Sequence, residues 1–181
     1  MENYVYVLDY LPSGRSTEHG YHREPVALAV GESELKLLEI LAKPGVALTP
    51  GNRIPVVPLN GVAPPIDHVR RRLGYDELTT SARSELTLAL EKLVLSDQGR
   101  FLRFFNESES VSRRFHLLEL LPGVGKKTMQ SILEERKRGP FASFADLESR
   151  LNLKGPQMLV VGRIEAELQG VGDKYRLFVA P

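Results

Sequence analysis

The first third of the chain carries short apolar runs that are rich in β-branched and aromatic residues and separated by turn residues. The run Asn3–Tyr10 predicts a first strand, and Pro25–Val30 predicts a second. The leucines of Leu35–Leu41 fit either a strand buried on both faces or a short helix. Val46–Val57 predicts a turn followed by a strand. Residues 1–73 are therefore predicted to form a small β-barrel of the OB or SH3 type.

The apolar positions of residues 74–108 recur at helical spacing instead, which predicts a helical connector. The acidic residues near Asp76 suit the first turn of a helix. The glycine at position 99 divides the segment into two helices. The apolar side of the first helix comprises Leu86, Leu90, Leu93 and Val94. The phenylalanines of the second helix at positions 101, 104 and 105 fit core residues better than a platform for stacked bases.

The sequence LPGVGKK at residues 121–127 is the most informative part of the third segment, 109–181. Leucines three apart before it fit one face of a helix, and Pro122 ends that helix because the residue before a proline disfavours the α region. Gly123 and Gly125 permit the backbone of a tight turn. An apolar helix, a Gly-hydrophobic-Gly turn and a basic amphipathic helix in this order are the signature of a helix-hairpin-helix.

The basic helix is predicted over residues 126–138. Its first N–H groups lack partners inside the helix, and the helix dipole adds partial positive charge at the same end. We therefore expect the amides of Gly123, Gly125 and Lys126 to hold one nucleic-acid phosphate without reading a base. The candidate contact residues are Gly123, Val124, Gly125, Lys126 and Lys127, with Arg113, Arg114 and Lys137 as outlying contacts.

Two other interpretations of this hairpin stay open. Its glycines fit an ordinary helical connection, in which they serve only the turn. The hairpin also fits a docking module for a ribosomal or transcription protein, which predicts binding that is insensitive to salt and lost on apolar changes at Val124.

The remainder of the third segment predicts a degenerate second copy of the hairpin. Ser143 is an expected N-cap, a turn follows at Asn152–Pro156, and Gln157–Gln169 resumes a helical pattern. This copy lacks the Gly-x-Gly, and Pro156 removes one amide donor, so we expect weak phosphate binding or none. Tyr175–Val179 is predicted to be a short strand that pairs with the barrel edge.

The chain as a whole is almost neutral, but positive charge is concentrated in two segments. The formal net charge is +1 at pH 7, but residues 111–140 carry seven Lys or Arg against three Glu, which leaves +4. Arg70, Arg71 and Arg72 form a second basic cluster, which fits either phosphate contact or a solvated surface.

Several functional classes find no motif in the sequence. It has no cysteine, no apolar run long enough to span a membrane and no signal peptide, so we expect a cytoplasmic protein without disulfides. His19 and His22 lie three apart without a carboxylate cluster, and no nucleotide-binding fingerprint occurs, so neither a metal nor a cofactor is expected. An enzyme with a site built from His19, His22 and Arg15 is the remaining alternative, and it lacks motif support.

The stretches SRRFHLLELLPGVGKK (112–127) and FASFADL (141–147) resemble an uncharacterised prokaryotic family that is best known from archaea. So do YDELT (75–79), FFN (104–106) and KYRLF (174–178). The resemblance covers most of residues 70–181. It implies a small N-terminal barrel, a C-terminal helix-hairpin-helix domain and RNA binding, without an assigned enzymatic activity.

The sequence thus predicts an α+β protein with a barrel (1–73), a helical connector (74–108) and a helix-hairpin-helix domain (109–181). The predicted function is non-catalytic binding of sugar-phosphate backbone without strong sequence preference. RNA is slightly favoured over DNA, because the resemblance implies RNA binding and small barrels often handle single strands. Hairpins of this kind in general lean towards duplex DNA, so both nucleic acids stay open.

Overall fold

The computed structural model of the chain describes residues 1–17, 20–171 and 174–181. Its strands are β1 (Tyr4–Leu11), β2 (Arg15–Thr17), β3 (Gly20–His22), β4 (Val26–Gly31), β5 (Leu37–Ala42), β6 (Arg53–Pro55), β7 (Ile66–Arg72), β8 (Ser110–Ser112) and β9 (Phe115–His116). Its α-helices are α1 (Thr80–Ser96), α2 (Gln98–Glu107), α3 (Lys126–Lys137), α4 (Phe144–Leu151) and α5 (Pro156–Gln169). Short 3-10 turns lie at Tyr75–Glu77 and Leu117–Leu120.

The larger sheet is antiparallel, has the strand order β6-β1-β4-β5-β7, and is curled into a half-barrel. The predicted α+β class is confirmed. The ambiguous leucine-rich segment is a strand, β5, which lies between β4 and β7.

The pattern of burial explains why β4 lies at the centre of this sheet. All six residues of its sequence VALAVG are buried. A strand that has neighbours on both edges and is covered on both faces needs such a continuous apolar run. The core on one face of the sheet comprises Val5, Val7, Ala27, Ala29, Leu38, Ile40, Ala42, Leu48 and Ile66.

One acidic residue interrupts the buried surface of β5. Glu39 is 1% exposed, and its carboxylate lies 3.5 Å from Nη1 of Arg15, 3.7 Å from Nη1 of Arg70 and 3.6 Å from Nη2 of Arg71. Adjacent side chains on a regular strand point to opposite faces. A register shift in the pairing of β5 with β7 at Glu39/Ile40 allows Arg70 and Arg71 to reach the same carboxylate. We call Arg15, Glu39, Arg70 and Arg71 the Glu39 cluster.

The predicted terminal strand Tyr175–Val179 is wrong, because this segment has no strand pairing in the structure. The carboxylate of Glu167, which is buried in α5, accepts hydrogen bonds from the N–H groups of Leu177 (2.7 Å), Phe178 (3.1 Å) and Val179 (2.8 Å). A side chain therefore satisfies the amides that a sheet ladder would otherwise have engaged. Ala180 donates its N–H to the carbonyl of Glu34 (3.0 Å).

Contacts divide the described chain into two compact units. The first comprises residues 1–90 and 166–181, and the second comprises residues 91–165. The predicted segments end instead at residues 73 and 108. The C-terminal residues join the first unit partly through the hydrogen bond from Ala180 to Glu34.

Of the three phenylalanines predicted as core residues, two are buried and Phe104 is half-buried. Phe101 and Phe105 are buried, and the ring of Phe105 meets that of Phe144 edge to face at a centroid distance of 6.2 Å. The predicted N-cap of α4 is confirmed, because the hydroxyl of Ser143 accepts a hydrogen bond from the N–H of Asp146 (2.9 Å).

Candidate nucleic-acid interface

The apolar helix predicted before the glycine turn is only a single 3-10 turn, Leu117–Leu120. The pairing of β8 with β9 takes the chain up to His116 and leaves few residues before the proline. His116 caps the 3-10 turn: its Nδ1 accepts from the N–H of Leu118 (3.1 Å), and its own N–H donates to Oε2 of Glu119 (2.9 Å). Leu118 and Leu121 are nevertheless buried.

The glycine turn presents its backbone on an open surface. The N–H of Val124 donates to the carbonyl of Leu121 (3.1 Å), and Gly123 has φ +84°, a value that favours glycine. A Cβ on Gly123 would approach nothing closer than Leu159 at 4.0 Å, and one on Gly125 would have no neighbour within 4 Å. The side chain of Val124 points inward and is 6% exposed. Backbone, rather than side chains, therefore forms the tip of the turn.

The N-terminus of α3 begins directly at this tip. Gly125 is its N-cap and accepts a hydrogen bond from the N–H of Met129 (2.9 Å). Because glycine has no side chain, no side-chain cap engages the first amides of α3. Those amides carry the partial positive charge of the helix end.

The two lysines at this helix end have different environments. The Nζ of Lys126 lies 2.8 Å from Oε1 of Glu119 and also donates to the carbonyl of Arg114. This ammonium group, together with the N–H of His116, holds the pKa of the Glu119 carboxyl below its usual range. The side chain of Lys127 is exposed and forms no ion pair with a described residue. Lys126 therefore ties the start of α3 to Glu119 and to the carbonyl of Arg114, whereas the side chain of Lys127 is exposed to solvent.

Among the outlying candidates, only the paired arginines lie close to this helix end. Arg113 and Arg114 are exposed in the turn between β8 and β9, and the carbonyl of Arg114 is bound by Lys126. Lys137 is exposed in the last turn of α3, roughly 16 Å along the axis from Lys126 at 1.5 Å per residue. The structure thus brings Arg113 and Arg114 to the turn and leaves Lys137 at the opposite end of the helix.

The arginine triplet of the first unit is divided between two environments. Arg70 pairs with Glu24 and Glu39, and Arg71 pairs with Glu39 and Glu77. The Arg71 guanidinium lowers the pKa of the Glu77 carboxyl. Arg72 is exposed and has no ion pair with a described residue. Phosphate contact by the triplet stays a prediction. Arg72 suits it best, because its guanidinium group pairs with no carboxylate of a described residue.

The turn before α5, which the sequence predicts to be a degenerate second hairpin, already holds a carboxylate. Glu148 of α4 accepts a hydrogen bond at Oε1 from the N–H of Gly155, just before α5 (3.3 Å). A phosphate at this place would meet the Glu148 carboxylate. Neither Glu119 nor Glu148 was a candidate from the sequence, although a glutamate three residues after a capping residue is a recognisable signal for the first.

The pH dependence of stability should report on the 3-10 turn Leu117–Leu120 through its capping residue, His116. Burial and the nearby Arg136 guanidinium lower the pKa of His116 below its usual 6.5. The unfolded chain therefore takes up this proton at higher pH than the folded chain, so the contribution of His116 is full above pH 6.5 and is lost as the pH falls below it. We expect the urea midpoint to fall between about pH 7 and about pH 5.

The matched control for this titration is His116→Asn, which keeps a side-chain acceptor for the Leu118 N–H but does not titrate. Subtracting its pH profile from that of the unchanged protein removes the contribution of the other histidines. Parallel profiles would contradict the assignment to His116.

The enzyme and metal alternatives gain no support from the described residues. His19 lies outside them, as does the side chain of His22, and Arg15 belongs to the Glu39 cluster. In the described ranges no three His, Asp or Glu side chains form a group that could hold a metal ion. None of the described helices is both long enough and apolar enough to cross a bilayer.

The chain thus combines a curled antiparallel sheet with a helical unit that exposes a glycine turn among basic side chains. It belongs to the DUF655 family, a family of unknown function whose model matches residues 1–180. It is 42% identical over 179 residues to the uncharacterized protein MJ0038 of Methanocaldococcus jannaschii. The alignment covers 98% of this chain and 80% of that protein. It is also similar to the crystal structure of Af1531 from Archaeoglobus fulgidus, with a TM-score of 0.87, 39% identity and coverage of 99% of this chain and 100% of that one. The resemblance to an uncharacterised archaeal family is confirmed.

Proposed function

We propose that this chain is a non-catalytic nucleic-acid-binding protein that holds a backbone phosphate at residues 121–127 in the manner of a helix-hairpin-helix. The observation that carries the proposal is the start of α3, which has no side-chain cap and faces open space beyond Gly125. A helix end of this kind favours an anion, because its free amides and its dipole act together.

The charges around the turn suit a phosphate diester. Lys127, Arg113 and Arg114 are exposed, and Lys126 fixes the arginine turn beside the helix through the carbonyl of Arg114. Contacts of this type position a nucleic acid without reading its bases. Binding should therefore be almost independent of sequence and should weaken as salt rises, by roughly 0.7–0.9 in the log–log slope for each neutralised phosphate.

The half-barrel of the first unit is proposed to be a small barrel of the OB or SH3 type that contributes a second nucleic-acid surface. This part of the proposal favours RNA slightly over DNA, because such sheets often bind single strands. The protein-docking alternative predicts binding that is insensitive to salt and lost on apolar changes at Val124. Val124 is buried, so the tip of the turn offers a docking partner little apolar surface.

The test is fluorescence-anisotropy titration of single- and double-stranded RNA and DNA at two salt concentrations. The variants are Lys127→Glu and Arg113→Glu, because both side chains are exposed and have no ion pair with a described residue. We expect each to weaken binding by about tenfold, since each reverses a charge beside the phosphate. Lys126→Glu is unsuitable, because it would place two carboxylates together at Glu119.

Lys92→Glu is the matched control, because Lys92 is an exposed lysine of α1 in the same unit. The affinity of Lys92→Glu for nucleic acid should be within about twofold of that of the unchanged protein, because a charge far from the phosphate is screened by salt. Equal affinities for Lys127→Glu and the unchanged protein, or binding that does not respond to salt, would overturn the proposal.

A further inference from the structure

A polar cavity of about 470 Å³ lies within the first unit. Its lining includes two leucines, Leu37 and Leu73, and the side chains of Arg72, Tyr75, Asp76 and Arg176. Residues 167–170, at the C-terminal end of α5, complete its lining. The volume falls in the range of small-molecule sites, about 300–1,000 Å³.

One wall of this cavity is fixed by the sheet. Leu73 continues from β7 and donates its N–H to the carbonyl of Leu37 (2.8 Å). The following 3-10 turn is held because Gly74 donates its N–H to Oε2 of Glu77 (2.8 Å), and Glu77 pairs with Arg71 (2.7 Å). The hydrogen bonds of Leu73, Gly74 and Glu77 therefore hold the backbone that carries Arg72, Tyr75 and Asp76.

The C-terminal part of the lining is fixed by Glu167. Its three hydrogen bonds to the N–H groups of residues 177–179 hold the C-terminal segment at the end of α5. This arrangement places Arg176 at the cavity. The Glu167 carboxylate is itself engaged by those amides, so it competes little with a ligand for the arginines.

The lining fits three chemical parts of one ligand. Arg72 and Arg176 are exposed and have no ion pair with a described residue, and guanidinium groups bind phosphate through paired hydrogen bonds. The half-buried Tyr75 suits a planar, partly apolar ring. Asp76 accepts hydrogen bonds of the kind that ribose hydroxyls donate.

We propose that this cavity holds one ribonucleotide of a single-stranded RNA, with its phosphate at Arg72 and Arg176, its base at Tyr75 and its ribose at Asp76. The inference rests on the proposed nucleic-acid binding and deepens it, because a hydroxyl contact at Asp76 selects RNA over DNA. It also separates Arg72 from Arg70 and Arg71, whose guanidinium groups pair with carboxylates.

The test is a titration of the full chain, labelled with ¹⁵N, with AMP, GMP, CMP and UMP one at a time, with dAMP and with inorganic phosphate. The amide signals of Gly74 and Gly170 report on the cavity, and the spectrum also shows whether each variant is folded. Arg72→Glu and Arg176→Glu should each weaken nucleotide binding by at least about tenfold. Arg103→Glu, an exposed arginine of α2 in the other unit, should leave it unchanged.

Asp76→Ala removes the side-chain acceptor proposed for the ribose hydroxyl. It should reduce the preference for AMP over dAMP while leaving the phosphate contact in place, which a merely structural role of Asp76 would not do. Shifts at Gly74 and Gly170 that are equal for inorganic phosphate and for nucleotides, or unaffected by Arg72→Glu in a folded variant, would overturn the proposal.

The two proposals fail separately. If the cavity does not respond to nucleotides while Lys127→Glu still weakens RNA binding, the ribonucleotide site is wrong and the hairpin contact stands. If the chain binds no nucleic acid under any of these conditions, the proposed function fails and the cavity assignment fails with it.

Discussion

Replacing Glu39 by Gln is expected to lower the free energy of unfolding by about 3 kcal/mol, the lower end of the range for removing one partner of a buried ion pair. Glutamine has nearly the same size, so the substitution removes the charge and leaves the packing. Three guanidinium groups, from Arg15, Arg70 and Arg71, would then face each other around a neutral amide. The lower end applies because the side chains of Arg70 and Arg71 are 22% and 37% exposed and keep some solvation.

The geometry of the Glu39 cluster shows why charge is the decisive quantity. The three ion pairs are 3.5–3.7 Å long, and within the described residues Oε2 of Glu39 and Nη1 of Arg15 have no hydrogen-bond partner. The cluster therefore depends on electrostatic attraction in a poorly solvated place, where attraction is stronger than at the surface.

Urea unfolding followed by circular dichroism measures this loss, with Glu32→Gln as the matched control. Glu32 pairs with Arg53 at 2.8 Å, but the arginine side chain is 41% exposed, and exposed pairs contribute about 0–1 kcal/mol. A loss below about 1 kcal/mol for Glu39→Gln would show that water or movement of the arginines compensates for the missing charge.

Replacing Glu167 by Ala is expected to release the C-terminal segment from α5. The carboxylate accepts hydrogen bonds from three consecutive N–H groups, of Leu177, Phe178 and Val179. One hydrogen bond to a charged group is worth about 1.5–3 kcal/mol. We expect a loss of at least that size for the segment, since all three donors lose their partner together.

Hydrogen exchange is the suitable measurement, because the effect is local rather than global. The amides of residues 177–179 should exchange at least about tenfold faster, while those of β4 keep their protection. Glu134→Ala is the matched control, since Glu134 is an exposed helical glutamate in the other unit. Unchanged exchange at residues 177–179 in Glu167→Ala would contradict the role given to this carboxylate.

The elements that local pattern determines were predictable from the sequence. The strands β1 and β4, the two helices of the connector and the Ser143 cap all follow from short-range chemistry, namely β-branched runs, helical spacing and a side-chain acceptor. The leucines and phenylalanines assigned to the core are mostly buried for the same reason. The exposed glycine turn before a basic helix also follows from its own seven residues.

The features that depend on distant partners were not predictable. Nothing in the sequence RRR shows that the first two arginines face Glu39, because this needs the register of β5 against β7. The terminal run of β-forming residues could not be separated from a strand without Glu167. Similarly, the environment of Lys126 depends on Glu119, seven residues away across a turn.

The register shifts in β7 also affect how the protein behaves at high concentration. β7 is an outer strand of the described sheet, and an outer strand is a template to which a strand of another molecule can add. Here the pairing with β5 is interrupted twice, and the exposed residues along the strand include Asp67 and His68. An irregular edge that carries charge discourages such addition. The irregularity that gathers arginines around Glu39 therefore also protects this edge against aggregation.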